Sequence, residues 1–135
     1  MTTDPRETPR QQAHHVSDPL IAVDLLVELE ALRSGAAYST ANHAAHTISK
    51  QSGHRVVLIA LKIGGRMKEH HADAPIMAQG LQGSVNFTIG DQTVCLTPGM
   101  LVTAAAGMPH SVEATEESAF LLTIGATAPH PSAGA

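Results

Sequence analysis

The sequence predicts an all-β fold, a jelly-roll β-barrel with one N-terminal α-helix, and three observations support this prediction. From Tyr38 onward, short apolar runs alternate with Gly and Pro turn signals, a pattern typical of sandwiches and barrels built from short strands. A stripe of apolar residues with helical spacing stands out before Gly35. Apolar residues make up 43% of the 135 residues but aromatic residues only 2%, so the chain is globular with an aliphatic core.

The helix is expected over residues 19–34. Asp18 is a suitable N-cap, Pro19 suits the first helical position, and Gly35 ends the helix. The apolar stripe consists of Leu20, Val23, Leu26 and Val27, widened by Leu25, Leu29 and Leu32. A helix this apolar must pack on the barrel or on a second subunit. Residues 1–18 are polar and are expected to form a flexible tail, which leaves residues 19–135 as a single domain.

The strand-like runs cover most of the remaining chain. They lie at 55–63, 67–71, 75–81, 84–89, 92–96, 100–104, 110–114 and 119–124, with looser alternation over 38–49. Gly90 and Asp91 are expected to form the two-residue loop of a β-hairpin. Cys95 lies inside one of the runs, so we expect its thiol to be buried and inert.

Composition excludes several classes of function. The net charge is −4 and the few Lys and Arg residues are scattered, which argues against a nucleic-acid or anionic-membrane partner. A single cysteine excludes an internal disulfide and fits a reducing compartment. No apolar run is long enough for a signal peptide or a membrane span, so a cytoplasmic protein is expected. Catalytic-triad, phosphate-loop and cysteine-rich zinc signatures do not occur in the sequence.

Two blocks of glycine and histidine carry the most specific signal. The first begins at Gly64, reaches its histidine at His70 and closes at Gly83, and the second contains Gly107 and His110. Their spacing resembles the paired motifs of the cupin superfamily, which are written G-x5-H-x-H-x3-E-x6-G and G-x5-P-x-G-x2-H-x3-N. Members of that superfamily are small β-barrels that hold a metal ion or a small ligand in the barrel mouth. The resemblance extends over residues 19–125 and implies a cupin-type barrel.

The ligand positions of those motifs are only half kept. The resemblance implies that His70 and His110 are metal ligands, but Ala72 and Ile76 stand where a second histidine and a glutamate would be. Two histidines hold a transition metal weakly unless water, a substrate or another side chain completes the coordination shell. The cofactor that the resemblance implies is one divalent ion of iron, manganese, nickel or zinc.

The alternation of side chains along the strands predicts which residues line a pocket together with these two histidines. Side chains two apart on a strand face the same side, so positions 70 and 72 share a face, as do positions 76 and 78. The pocket expected at the barrel mouth is lined by His70, Ala72, Ile76, Ala78, Met108 and His110. His71 should face outward unless a bulge interrupts its strand. Because Glu69 and Asp73 also have outward parity, a histidine is the only evident general base.

Three functions remain open from the sequence. The first is the binding of a small molecule in the barrel without assured catalysis, favoured by an apolar lining with two polar points. The second is a metal-dependent enzyme, such as a dioxygenase or isomerase, whose small oxygenated substrate supplies the missing donors. The third is a non-catalytic interaction protein in which the helix and exposed strand edges build an oligomer. The resemblance to cupins further implies a homodimer.

Overall fold

The computed structural model describes residues 14–125, which form two short helices and nine strands. The helices are α1 (Leu25–Arg33) and α2 (Ala36–Ala41). The strands are β1 (His43–Lys50), β2 (His54–Leu61), β3 (Arg66–His70), β4 (Ile76–Gln82), β5 (Val85–Ile89), β6 (Gln92–Leu96), β7 (Leu101–Ala104), β8 (His110–Ala114) and β9 (Ser118–Gly125). Except for the start of β1, their bounds match the expected runs to within about two residues.

The strands form two antiparallel sheets that enclose the core. One sheet has five strands in the order β1-β2-β9-β4-β7, and the other has four in the order β3-β8-β5-β6. The expected hairpin is confirmed, because Ile89 pairs with Gln92 across Gly90 and Asp91. The predicted all-β jelly-roll architecture is therefore confirmed.

Part of the five-stranded sheet is covered on both of its faces. Its inner face carries Ile59 and Phe120, which belong to an apolar cluster between the two sheets. Its outer face carries Leu58 and Ala119, which pack beneath Leu29 of α1 in a second cluster. Burial on both faces explains why β2 reads as a continuous apolar run rather than as an alternating one.

The helix begins later than the sequence indicates, and the predicted start at residue 19 is wrong. Asp24 is the N-cap, since its Oδ1 accepts from the N–H groups of Leu26 at 2.9 Å and Val27 at 3.3 Å. Asp18 instead accepts from the N–H of His15 at 3.1 Å. Residues 19–24 are non-helical and lie along the outer face of the five-stranded sheet. A second helix, α2, occupies the start of the stretch where loose strand-like alternation was expected.

Cys95 is exposed, so the prediction that it is buried is wrong. It lies on β6, an edge strand of the four-stranded sheet, where its neighbour Leu96 takes the inward position. Its Sγ lies 3.1 Å from Oγ of Ser84.

The N-terminal residues that the structure describes are joined to β1. The N–H of Lys50 donates to the carbonyl of Val16 at 2.6 Å, and the side-chain amide of Gln51 donates to the carbonyl of Asp18 at 2.7 Å. Most of the predicted tail, residues 1–13, and residues 126–135 lie outside the described part of the chain. The domain boundaries stay a prediction. Neither helix in the described part is long and apolar enough to cross a membrane.

We expect Gly83→Ala to lower the free energy of unfolding by about 1–3 kcal/mol more than Gly99→Ala does. Both glycines have positive φ, 72° and 89°, so both substitutions strain the backbone by about 1–2 kcal/mol. A Cβ at Gly83 would also collide with the carbonyl of Glu117 and with Ser118, whereas one at Gly99 meets nothing. Urea unfolding followed by circular dichroism measures the difference, and equal losses would contradict the tight turn at Gly83.

Candidate functional site

His110 lies inside the barrel, on the inner face of the four-stranded sheet. It begins β8, pairs with Ile89 of β5 and is 3% exposed. Its ring is stacked on Phe87, with 6.0 Å between the ring centroids and 17° between the ring planes. The opposite wall contributes Phe120, whose ring meets Phe87 edge to face at 5.7 Å. His110 is thus fixed in orientation by an aromatic contact that belongs to the core.

A β-bulge brings His70 to the same place. Met67 on β3 pairs with Val112 on β8, and His70 pairs with His110, so three steps along β3 correspond to two along β8. Because Met67 packs against the core, regular alternation would have turned position 69 inward. The extra residue turns position 70 inward instead, and Glu69 faces the outer side of the sheet. The bulge therefore selects an imidazole over a carboxylate.

The two imidazoles meet through their Nε2 atoms, which are 3.1 Å apart. Each ring also turns its Nδ1 toward a backbone carbonyl, that of Lys68 for His70 at 3.1 Å and that of Met108 for His110 at 3.4 Å. A carbonyl oxygen only accepts, so a neutral ring in this orientation carries its proton on Nδ1 and a lone pair on Nε2. Two lone pairs at this distance repel each other. The geometry therefore calls for a cation between them, either a shared proton or a metal ion.

The spacing fits two ligands of one metal ion, but the protein supplies only these two. Nitrogen atoms bound at about 2.0–2.1 Å to one octahedral or tetrahedral ion lie about 2.8–3.4 Å apart, a range that includes the observed 3.1 Å. Within residues 14–125, no group of three or more His, Cys, Asp or Glu side chains is placed to hold a metal. A metal at this pair would therefore need further donors from water or from a ligand.

The pKa of His110 is lowered from its ordinary value of 6.5. Burial is the main cause, because an imidazolium loses its hydration inside the barrel. The nearby rings of His70 and, to a smaller degree, His71 act in the same direction, while the hydrogen bond to the Met108 carbonyl opposes them. His110 is therefore neutral near pH 7 and is available as a ligand or as a proton acceptor.

The other expected pocket residues lie around the pair or within the core. Ala72 is half-buried in the loop after β3, and its carbonyl accepts from the N–H of Gly107 at 2.8 Å. Met108 is 40% exposed and packs near Gly90 of the hairpin loop. Ile76 and Ala78 are buried in the apolar cluster between the sheets, as their parity on β4 predicts.

The structure adds residues that the motif spacing did not single out. Phe87 orients His110, and the carbonyls of Lys68 and Met108 select the tautomers of the two rings. Of these groups, only Phe87 could have been found from the sequence, because the alternation of residues 85, 87 and 89 predicts that their side chains face inward. His71 stays exposed beside the pair, and the exposed His54 begins β2.

Comparisons with known proteins identify the architecture. No family model and no curated protein matches the sequence. A solved structure of salicylate 1,2-dioxygenase from Pseudoaminobacter salicylatoxidans, with gentisate adducts, matches 83% of this chain with a TM-score of 0.71 and 15% identity. The match covers 35% of the dioxygenase, so the present chain spans about a third of that enzyme.

Smaller proteins match over most of their own length. KdgF from Halomonas sp. matches with a TM-score of 0.60 and 15% identity, over 64% of this chain and 81% of that one. An RmlC-like cupin from Shewanella frigidimarina matches with a TM-score of 0.61 and 11% identity, over 64% of this chain and 78% of that one. At these identities the likeness concerns the fold alone.

We expect the lowered pKa of His110 to make folding stability fall at acidic pH. As pH decreases below about 6.5, the unfolded chain binds a proton at this ring more readily than the folded chain does, so part of the stability present at pH 7.5 is lost toward pH 5.5. Replacing His110 by Gln removes this contribution. Urea unfolding of both proteins at the two pH values, with a chelator present, measures the effect. Identical pH dependence in the two proteins would contradict a depressed pKa at His110.

Proposed function

We propose that this protein, which has the cupin fold, binds a small oxygen-bearing molecule at the His70–His110 pair. The observation that carries the proposal is the 3.1 Å approach of two Nε2 atoms whose rings both turn Nδ1 toward a carbonyl. A metal ion, or a proton taken up together with an anionic ligand, would place a positive charge between these atoms at the barrel wall. A carboxylate, phenolate or enolate oxygen is the natural partner of that charge.

The surroundings of the pair favour a ligand with an apolar body. His110 stacks on Phe87, and Met108 and Ala72 lie beside the loops that lead into and out of the site. These groups offer dispersion contacts but few hydrogen bonds. His110 is buried, so on its side of the pair the interaction between a charged centre and a ligand oxygen would be stronger than in water. The ligand class that follows is a small organic acid with one charged end.

A second candidate is a metal-dependent enzyme of dioxygenase or isomerase type. It is favoured by the spacing of the Nε2 atoms and by the hydrogen bonds at Nδ1, because metal-ligating histidines commonly donate their other ring N–H to a carbonyl. His70 and His110 would hold iron, manganese, nickel or zinc, and substrate oxygens and water would complete the shell. When bound, the metal would supply Lewis-acid polarisation of those oxygens.

We expect His70→Ala to weaken ligand binding by about tenfold or more, since one charge-assisted hydrogen bond contributes about 1.5–3 kcal/mol. Gentisate, named in the dioxygenase structure, is a suitable probe because it is a small aromatic acid. Isothermal titration calorimetry at pH 7.5, with and without added Mn²⁺, measures the affinity. His70 is exposed, so the substitution should leave the fold intact.

His71→Ala is the matched control, because His71 is an exposed histidine next in the chain that takes no part in the Nε2 contact. Its affinity for gentisate should stay within about twofold of the unaltered protein, less than 0.5 kcal/mol. Equal losses in the two variants, or none in either, would contradict binding at the pair.

Metal content separates the two candidate functions. Protein purified without immobilised-metal resin is analysed by inductively coupled plasma mass spectrometry, before and after incubation with gentisate. If the enzyme candidate is right, we expect metal retention to rise with gentisate, because the ligand completes the coordination shell. That metal should disappear in His70→Ala and persist in His71→Ala. Gentisate binding by metal-free protein would favour the shared proton and remove the metal-dependent alternative.

A further inference from the structure

The segment that covers the outer face of the five-stranded sheet is tied to the rest of the fold at its two ends. We call residues 19–33 the flap; it consists of the non-helical stretch before α1 and of α1 itself. Before the flap, the carbonyl of Val16 accepts from the N–H of Lys50 at 2.6 Å. At its end, the guanidinium of Arg33 donates to the side chain of Gln82 at 2.7 Å.

Between these anchors, apolar contacts hold the flap on the sheet. Its inward residues pack on the outward side chains of β1, β2 and β9, and they are Ile21, Val23, Leu25, Leu29 and Leu32. Within residues 14–125, no hydrogen bond joins residues 19–32 to a strand. Apolar contacts are not directional, so the flap can leave the sheet without breaking a ladder of hydrogen bonds.

The packing beneath the first half of the flap is incomplete. A groove of about 600 Å³ lies there, lined by Ile21 and Val23 of the flap and by Val56 and Leu121 of the sheet. Leu20, in the same stretch, is 84% exposed. Apolar side chains that border a groove make fewer dispersion contacts than those in a filled core, so this half of the flap is weakly held.

The second half of the flap carries a buried carboxyl group. Glu28 is 2% exposed, and neither of its carboxyl oxygens has a hydrogen-bond partner in the part of the chain that the structure describes. It lies on the same side of α1 as Leu25 and Leu32, which pack on the sheet. A carboxyl group that leaves water without gaining a hydrogen bond costs folding free energy, whether it is ionised or neutral. This cost disappears when α1 leaves the sheet and Glu28 returns to water.

We propose that the flap is a lid that opens and closes on the folded barrel, and that Glu28 keeps its open state accessible. In the open state Glu28 is hydrated, and the apolar side chains of Leu58 and Ala119 on the sheet become exposed. Lids belong to the least stable parts of a fold, and the groove and the unpartnered carboxyl group each place the flap there. The histidine pair lies on the other sheet, so this device is independent of the function proposed for that pair.

Hydrogen exchange of the full-length protein, read by mass spectrometry, tests whether the flap opens by itself. We expect the amides of residues 29–33 to exchange at least about tenfold faster than those of β2, which is buried on both faces. One opening event should govern all amides of residues 29–33. Equal exchange in α1 and β2 would mean that the flap opens only with global unfolding, and this result would overturn the proposal.

The role of Glu28 is tested by comparing Glu28→Met with Glu30→Met. Both variants replace a glutamate of α1 by an unbranched apolar residue of similar helix propensity, but Glu30 is exposed. We expect Glu28→Met to slow the exchange of residues 29–33 by at least about tenfold and Glu30→Met to change it by less than about twofold. Glu28→Leu repeats the test with a branched side chain and should act in the same direction.

The amides of β2 show whether Glu28 leaves the sheet in the open state. Because Glu28 is hydrated both in the open state and in the unfolded chain, Glu28→Met should slow exchange in α1 and in β2 by the same factor. Slowing in β2 alone would mean that α1 opens while Glu28 stays buried, which contradicts the lid. Faster exchange in both Glu28 variants would show that the carboxyl group stabilises the closed state, for instance through a water held in the interface, and would overturn the proposal as well.

Discussion

The edge-to-face contact between Phe87 and Phe120 is the interaction on which the site depends. These two rings are the only phenylalanines in the chain, and they join the two sheets at 5.7 Å in an otherwise aliphatic core. The free face of Phe87 then supports the ring of His110. An aromatic pair of this kind contributes more to folding stability than its buried area alone accounts for. The ring of His110 therefore rests on a rigid support. A site residue is thereby fixed by the same contact that closes the barrel.

The second constraint is the single extra residue in β3. It places His70 opposite His110 and leaves Glu69 on the outside, which determines the charge of the barrel wall. An inward carboxylate would have formed an ion pair with a histidine and made the centre neutral. Under the proposed function, two imidazoles whose lone pairs converge would attract a cation and, through it, an anionic ligand. Because Ala72 and Ile76 stand at the other two ligand positions, the ligand rather than the protein would balance that charge.

The two faces of the five-stranded sheet pack against different parts of the chain. The inner face forms the barrel core and backs the histidine pair, whereas the outer face is covered by the chain's own N-terminal segment over half of its width. The extent of this cover follows from the length of α1, which ends at Arg33, where the guanidinium donates to the side-chain carbonyl of Gln82 at 2.7 Å.

The strands, the turns and the resemblance to cupins could be predicted from the sequence because they depend on local patterns. These patterns are the alternation along β5 and β8, the glycines with positive φ, and the spacing from Gly64 to His70 and from Gly107 to His110. Features that depend on residues distant in the chain could not be predicted in this way. The start of α1 was misplaced because Asp18 and Asp24 are equally good caps, and only packing on β1 and β2 selects the second. The prediction for Cys95 was wrong because an edge strand looks like a central one in sequence.

The geometry of the histidine pair arises only when β3 pairs with β8. The bulge and the contact between the two Nε2 atoms each need atoms from both strands, and the tautomers depend on neighbouring carbonyls.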